Sequence, residues 1–208
     1  GFKTAPYWWE RSPRPDLARP ELPASVDVAV VGSGYTGLHA ALQTARGGRS
    51  TLVLDAEDAG WGCSTRNGGQ ISTSIKPGLA ELARRHGEAK GRAILEEGRR
   101  ALSWIGEFID EERIDCDFGV VGRFHAAHNA AAFHRLVESV RGEPVGLETG
   151  AYIVPRDRQR TLLGTDAYHG GVVYPRHASL DPGRYHAGLL GRVLAVGATV
   201  AANCAVEG

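Results

Sequence analysis

The sequence predicts an α/β fold in which a parallel sheet carries packed helices and part of a smaller α+β region accompanies it. Three observations point there. Between residues 27 and 55 an apolar run, a glycine-rich turn, a stretch of helical period and a second apolar run follow one another, which makes a βαβ unit. Strand-like and helix-like stretches then keep alternating to the end of the chain. The composition, 42% hydrophobic and 23% charged over 208 residues, is that of a chain able to bury a core.

The elements follow in order. Residues 1–25 hold Pro6, Pro13, Pro15, Pro20 and Pro23, and so many missing amide donors predict an extended arm, pinned to the body by Tyr7, Trp8 and Trp9. Val28, Ala29, Val30 and Val31 form a continuous apolar run of the kind found in a doubly buried parallel strand. Leu38, Ala41, Leu42 and Ala45 recur at helical spacing, Gly47 and Gly48 stop that helix, and Thr51, Leu52, Val53 and Leu54 form the next strand. Residues 59–74 are rich in Gly, Ser, Thr and Asn without periodicity, which predicts a long functional loop. Residues 78–113 read as two helical segments weakened in the middle by Gly87 and Gly91. Strands are expected over 117–126, 151–154, 171–174 and 198–206, with helices over 130–140 and 182–196. Asp181-Pro182 opens the last helix with proline at a favoured first-turn position. The chain ends on a strand with no covering layer after it, and it contains no Met; the natural protein is therefore expected to be longer.

Charge and composition exclude several classes. Lys plus Arg (24) equals Asp plus Glu (24), so no long-range field draws in nucleic acid or an anionic membrane. No apolar run approaches the roughly 18 residues of a membrane span. The first residues lack the apolar core of a secretory signal, which predicts a cytoplasmic location. Cys63, Cys116 and Cys204 contain no C-x-x-C and read as three buried or idle thiols. His125, His128 and His134 lie across a strand-to-helix junction that does not place them on one face, so no metal is expected. The expected partner is a small molecule.

Gly32-Ser33-Gly34-Tyr35-Thr36-Gly37 is a G-x-G-x-x-G placed directly after a strand and opening a helix. Gly32 makes the turn, Gly34 lets backbone approach a pyrophosphate, and Gly37 lets helix and strand pack closely. The free amides of the helix start favour the anion. Asp55 ends the second strand at the spacing, about 20 residues on, where a carboxylate accepts from ribose hydroxyls and repels a 2′-phosphate. The motif alone leaves FAD and NAD open.

The second loop, Gly60-Trp61-Gly62-Cys63-Ser64-Thr65-Arg66-Asn67-Gly68-Gly69-Gln70, is one that a nicotinamide dehydrogenase has no need of. With residues 30–38, and with Ile114-Asp115-Cys116-Asp117 further on, it resembles the D-amino-acid-oxidase-like family of FAD-dependent amine and amino-acid oxidases. That family includes glycine and sarcosine oxidases, and the likeness is greatest to its γ-glutamylputrescine oxidase branch. It extends to Asp181-Pro182 and Val206, and so covers nearly the whole chain but only the first half of a family member.

The resemblance implies FAD and a Rossmann-like FAD-binding domain. Residues 26–115 would form its first part with a helical segment, 116–160 part of a substrate domain, and 161–208 a return to the FAD-binding domain. Gly32, Gly34, Tyr35, Thr36 and Gly37 would hold the pyrophosphate and Asp55 the ribose. Ser64, Arg66, Asn67, Gly68 and Gln70 would run along the ribityl chain, and Val206 would meet the adenine through its backbone. The implied reaction oxidises an amine C–N bond to an imine, with dioxygen reoxidising the flavin and releasing peroxide. No catalytic acid or base is assigned; Arg66 and Gln70 come nearest, and Arg66 could equally pair with a backbone carbonyl. Two readings of the 208-residue chain stand side by side: the N-terminal portion of an amine or amino-acid oxidase, and a flavin-binding piece with no turnover of its own, prone to self-association through its uncovered sheet.

Overall fold

A computed structural model describes residues 1–18 and 20–207; Arg19, within the expected arm, and Gly208 lie outside the described residues. The chain divides into two compact units.

The first unit comprises Gly1–Gly69, Ile109–Phe118 and Leu180–Gly208. Its sheet has three parallel strands in the order β1-β2-β8: β1 (Val28–Val31), β2 (Thr51–Leu54) and β8 (Thr199–Ala201). Val30 pairs with Val53, and Val53 with Val200, which fixes the register. Helix α2 (Tyr35–Arg46) joins β1 to β2, and α6 (Pro182–Ala195) precedes β8. The apolar stripe read from the sequence becomes the core: Leu38, Ala41 and Leu42 of α2 are fully buried, as are Leu189 and Val193 of α6 and Val53 of β2. The two helices pack on each other. Asp181 caps α6 by accepting from the Gly183 and Arg184 amides at 2.9 and 3.1 Å.

Three expectations change in this unit. The arm is not extended throughout, because Tyr7–Arg11 forms a short helix, α1. Strand β1 is not doubly buried: Val28 and Val30 are half-buried, whereas Ala29 is exposed and Val31 is 72% exposed, since β1 is the sheet's outer strand. The last strand is three residues long, because Asn203 turns into the left-handed region at φ 53°, and this leaves Val206 beyond it and exposed.

The second unit comprises Gln70–Phe108 and Gly119–Ser179. Strands β4 (Arg123–Ala126), β5 (Tyr152–Val154) and β6 (Gly171–Tyr174) form an antiparallel sheet in the order β4-β6-β5. A two-residue ladder pairs β3 (Gln70–Ile71) with β7 (Ala178–Ser179). Helices α3 (Leu79–His86) and α5 (Ala130–Arg141) belong here, as does α4 (Glu88–Glu111) up to Phe108. Asn129 caps α5 by accepting from the Ala132 amide at 2.7 Å.

The unit boundaries differ from those expected. Residues 70–108 fall in the second unit, and the return to the first comes at Leu180 rather than at 161, because β6 is hydrogen-bonded between β4 and β5. The expected strand over 117–126 shortens to its last four residues, since Asp117 and Gly122 both take positive φ. Gly87 breaks the helical stretch at φ 83°, but Gly91 does not: α4 runs through it, and a β-carbon there would stand 3.0 Å from the Ala83 amide nitrogen of α3. The glycine serves the close approach of the two helices.

Candidate cofactor site

The C-terminal end of β1 runs into a tight turn at Gly32, whose φ is 96° and whose amide donates to the Leu54 carbonyl at 2.7 Å. That bond ties the turn to the end of β2, so the glycine loop and Asp55 sit side by side at the same edge of the sheet. Gly34 then starts α2 in an extended conformation (φ −72°, ψ 178°) with no side-chain cap of its own. The first-turn amides thus lack intrahelical acceptors. Tyr35 N–H donates to Ser64 Oγ at 3.0 Å, and a β-carbon added to Gly34 would stand 3.0 Å from the same oxygen. The space over Gly34 is therefore a cradle that any side chain would fill, bounded by helix amides and a hydroxyl. That donor set suits a pyrophosphate. A β-carbon at Gly37 would overlap the Gly32 carbonyl oxygen, which accounts for the third glycine.

Asp55 is half-buried and already occupied. Its Oδ2 accepts from the Ser33 amide and hydroxyl at 2.6 and 2.5 Å, and its Oδ1 from the Glu57 amide at 3.1 Å. A carboxylate offers about four acceptor positions, so one remains for a ribose hydroxyl, and the main work of Asp55 is to hold the glycine loop. Behind that loop lies a residue that the sequence gives no sign of. His186 of α6 is 1% exposed, and its Nε2 meets the Ser33 carbonyl at 2.7 Å. A carbonyl only accepts, so Nε2 carries the hydrogen. Burial pushes the His186 imidazole below its ordinary 6.5.

Tyr35 contributes its amide and not its ring. The phenol donates to the Pro182 carbonyl at 3.0 Å, its ring meets that of Tyr185 edge-on at 5.1 Å, and burial pushes its pKa up to about 12. Thr36 is exposed on the first turn.

The second loop is ordered by its own side chains. Cys63–Thr65 makes a 3-10 turn. Asn67 spends its side chain inside the loop, with Nδ2 donating to the Cys63 and Ser64 carbonyls at 3.2 and 3.0 Å and Oδ1 accepting from the Gly69 amide at 2.8 Å. Arg66 makes the carbonyl contact: its Nε donates to Trp61 O at 2.6 Å, and its guanidinium lies 3.9 Å from the centre of the Trp61 ring. Gly68 faces open space. Gln70 opens β3 in the second unit with its side chain exposed. Val206 follows Cys204, whose amide donates to the Asp55 carbonyl at 2.7 Å, so the chain after β8 runs along the end of β2. Cys116 is buried as expected, and its thiol is pushed up to about 11, chiefly by burial, but Cys63 is exposed.

A family model described as FAD dependent oxidoreductase matches residues 27–208. Among curated proteins, the probable oxidoreductase OrdL of Rhizobium meliloti (strain 1021) is 30% identical over 201 residues, covering 93% of this chain and 46% of that protein. The gamma-glutamylputrescine oxidoreductase of Escherichia coli (strain K12) is 37% identical over 103 residues, covering 50% of this chain and 24% of that protein. The solved structure of L-amino acid deaminase from Proteus vulgaris superposes with a TM-score of 0.73 at 18% identity, over 94% of this chain and 49% of that one, a likeness of fold. The chain spans less than half the length of the curated relatives it matches.

A parallel sheet whose first strand turns through glycines into an amide-lined helix start defines a dinucleotide-binding α/β protein. This chain belongs to the FAD-dependent oxidoreductase family, and the family's cofactor is FAD.

Proposed function

We propose that the chain supplies the pyrophosphate and adenosine side of the FAD site in an enzyme that oxidises the C–N bond of an amine or amino acid, with dioxygen as electron acceptor and peroxide as product. The observation that carries the reading is the cradle over Gly34, formed by the first-turn amides of α2 and Ser64 Oγ beside Asp55. The relatives named above favour nitrogen-bearing substrates, one acting by its name on γ-glutamylputrescine and one on L-amino acids.

Bound FAD supplies the redox chemistry, taking two electrons from the C–N bond. The residues of this chain bind and orient. The amides of Thr36 and Gly37 and the Ser64 hydroxyl would meet the pyrophosphate charge, Asp55 would offer its remaining acceptor position to a ribose hydroxyl, and Val206 would meet the adenine through its backbone. Arg66, Asn67 and Gly68 would belong to the ribityl side, with Asn67 acting through loop shape.

The test is an absorbance spectrum of the purified full-length protein, followed by peroxide detection over a panel of polyamine derivatives and small amino acids. Visible flavin bands and peroxide formation with at least one amine are expected. Turnover that requires NAD and releases no peroxide would overturn the proposal.

A further inference from the structure

The N-terminal arm reaches the second glycine-rich loop at two backbone-defining points. Trp8 Nε1 donates to the Asn67 carbonyl at 2.8 Å, and Trp9 Nε1 donates to Thr65 Oγ1 at 2.8 Å. Thr65 is 2% exposed, and its hydroxyl in turn donates to the Gly60 carbonyl at 2.5 Å. A hydroxyl has one hydrogen to give, so the indole fixes where it goes. The loop is thereby closed from Gly60 to Asn67 by a chain of donors that starts in α1.

One of these indoles, that of Trp9, also lies beside the loop's cation. The Arg66 guanidinium lies 3.9 Å from the Trp61 ring centre and 5.3 Å from that of Trp9, while Arg14 stacks on Trp9 at 4.1 Å and pairs with Asp58 at 2.9 Å. Trp9 thus has two guanidinium groups near its ring, one paired with Asp58 and one belonging to the loop. Arg11, at the end of α1, reaches Asp117 at 3.4 Å. A surface arm kept only for solubility needs none of this.

We infer that the arm residues Trp8 and Trp9 are positioning residues for the FAD-facing loop: they set the conformation of residues 60–67 and, through it, the fit of the ribityl-flavin half of the cofactor. The inference rests on the reading of residues 64–68 as the ribityl side of the site. The adenosine end is read at Asp55, outside residues 60–67, whereas the pyrophosphate cradle includes Ser64 of that loop.

That division makes the idea testable by ligand halves. In the full-length protein, Trp8→Phe and Trp9→Phe keep an aromatic ring and delete the indole donor, and Lys3→Gln, which breaks the exposed Lys3–Glu10 pair, serves as the control. FAD and adenosine, which lacks the phosphates that meet Ser64, are titrated against each variant by calorimetry, and visible circular dichroism of the bound flavin reports the setting of its ring. Each tryptophan variant should bind FAD about tenfold more weakly, in line with one lost hydrogen bond to a buried or loop-fixing acceptor. Adenosine affinity should stay within twofold, the dichroism should change, and the control should match wild type. Wild-type FAD affinity and dichroism in both tryptophan variants would overturn the inference, as would equal weakening of FAD and adenosine, which would mark a general loss of structure. Failure of the wild-type protein to bind FAD at all would overturn the cofactor reading itself, and this inference with it.

Discussion

At the scale of residues the glycine loop is the most exacting part of the chain. Gly34→Val is expected to leave the fold in place and abolish FAD binding, because the new side chain occupies the cradle and displaces Ser64 from the Tyr35 amide. Flavin content per folded protein, measured by absorbance alongside circular dichroism, checks this; a folded variant with one flavin per chain would show that the loop is only a turn. His186 sets a pH dependence. Buried and held neutral, it refuses a proton that the unfolded chain accepts near 6.5, so stability is full above that value and falls as the pH drops through it. His39 and His177 shift in the same direction through burial. Asp27, held low by the Ser50 hydroxyl and amide, adds its own loss only as the pH falls below about 3.8, so the two windows separate. Denaturant melts between about pH 7 and 5 should show the first loss, and His186→Gln should flatten part of it. Of these residues the glycines and Asp55 stand out in the sequence by their spacing. His186 does not, since nothing local distinguishes a histidine on α6 from one facing water.

At the scale of elements the helix caps differ in what they hold. Asn129 covers one amide at the start of α5, whereas Asp181 covers two at the start of α6 from a position 2% exposed. Asn129→Ala should cost about 1 kcal/mol. Asp181→Ala should cost roughly 2 kcal/mol or more, because buried donors to a charged group lose their acceptor. Urea unfolding of the two variants decides the order, and equal costs would contradict this account of burial. The helices were the most legible elements: the apolar spacing of α2, the break at Gly87 and the Asp181-Pro182 start of α6 all appear in the structure. The two-residue strands β3 and β7 were not legible, because a ladder that short exists only once its partner is in place. The helix α1 was hidden by the prolines on either side of it.

At the scale of the whole molecule, β1 presents an exposed apolar face at Ala29 and Val31 and, among the described residues, an edge with no strand paired to it. Such an edge recruits a partner strand or surface. The 208-residue chain is therefore expected to self-associate at tens of micromolar or below, and Val31→Lys to reduce that association; sedimentation velocity that finds a monomer throughout would refute it. The sequence by itself determined the βαβ unit, its glycine turn, the spacing to Asp55 and the second loop, because each depends on residues near in the chain and on backbone chemistry that few residue types satisfy. Only the tertiary structure decided which strands belong to which unit, that Asp55 spends most of its capacity on Ser33, that His186 sits behind the loop, and that Trp8 and Trp9 hold residues 65 and 67. Those pairings join positions between 22 and 153 apart in the chain. Hydrogen bonds over such separations form only when packing has already brought the elements together, and no local pattern encodes them.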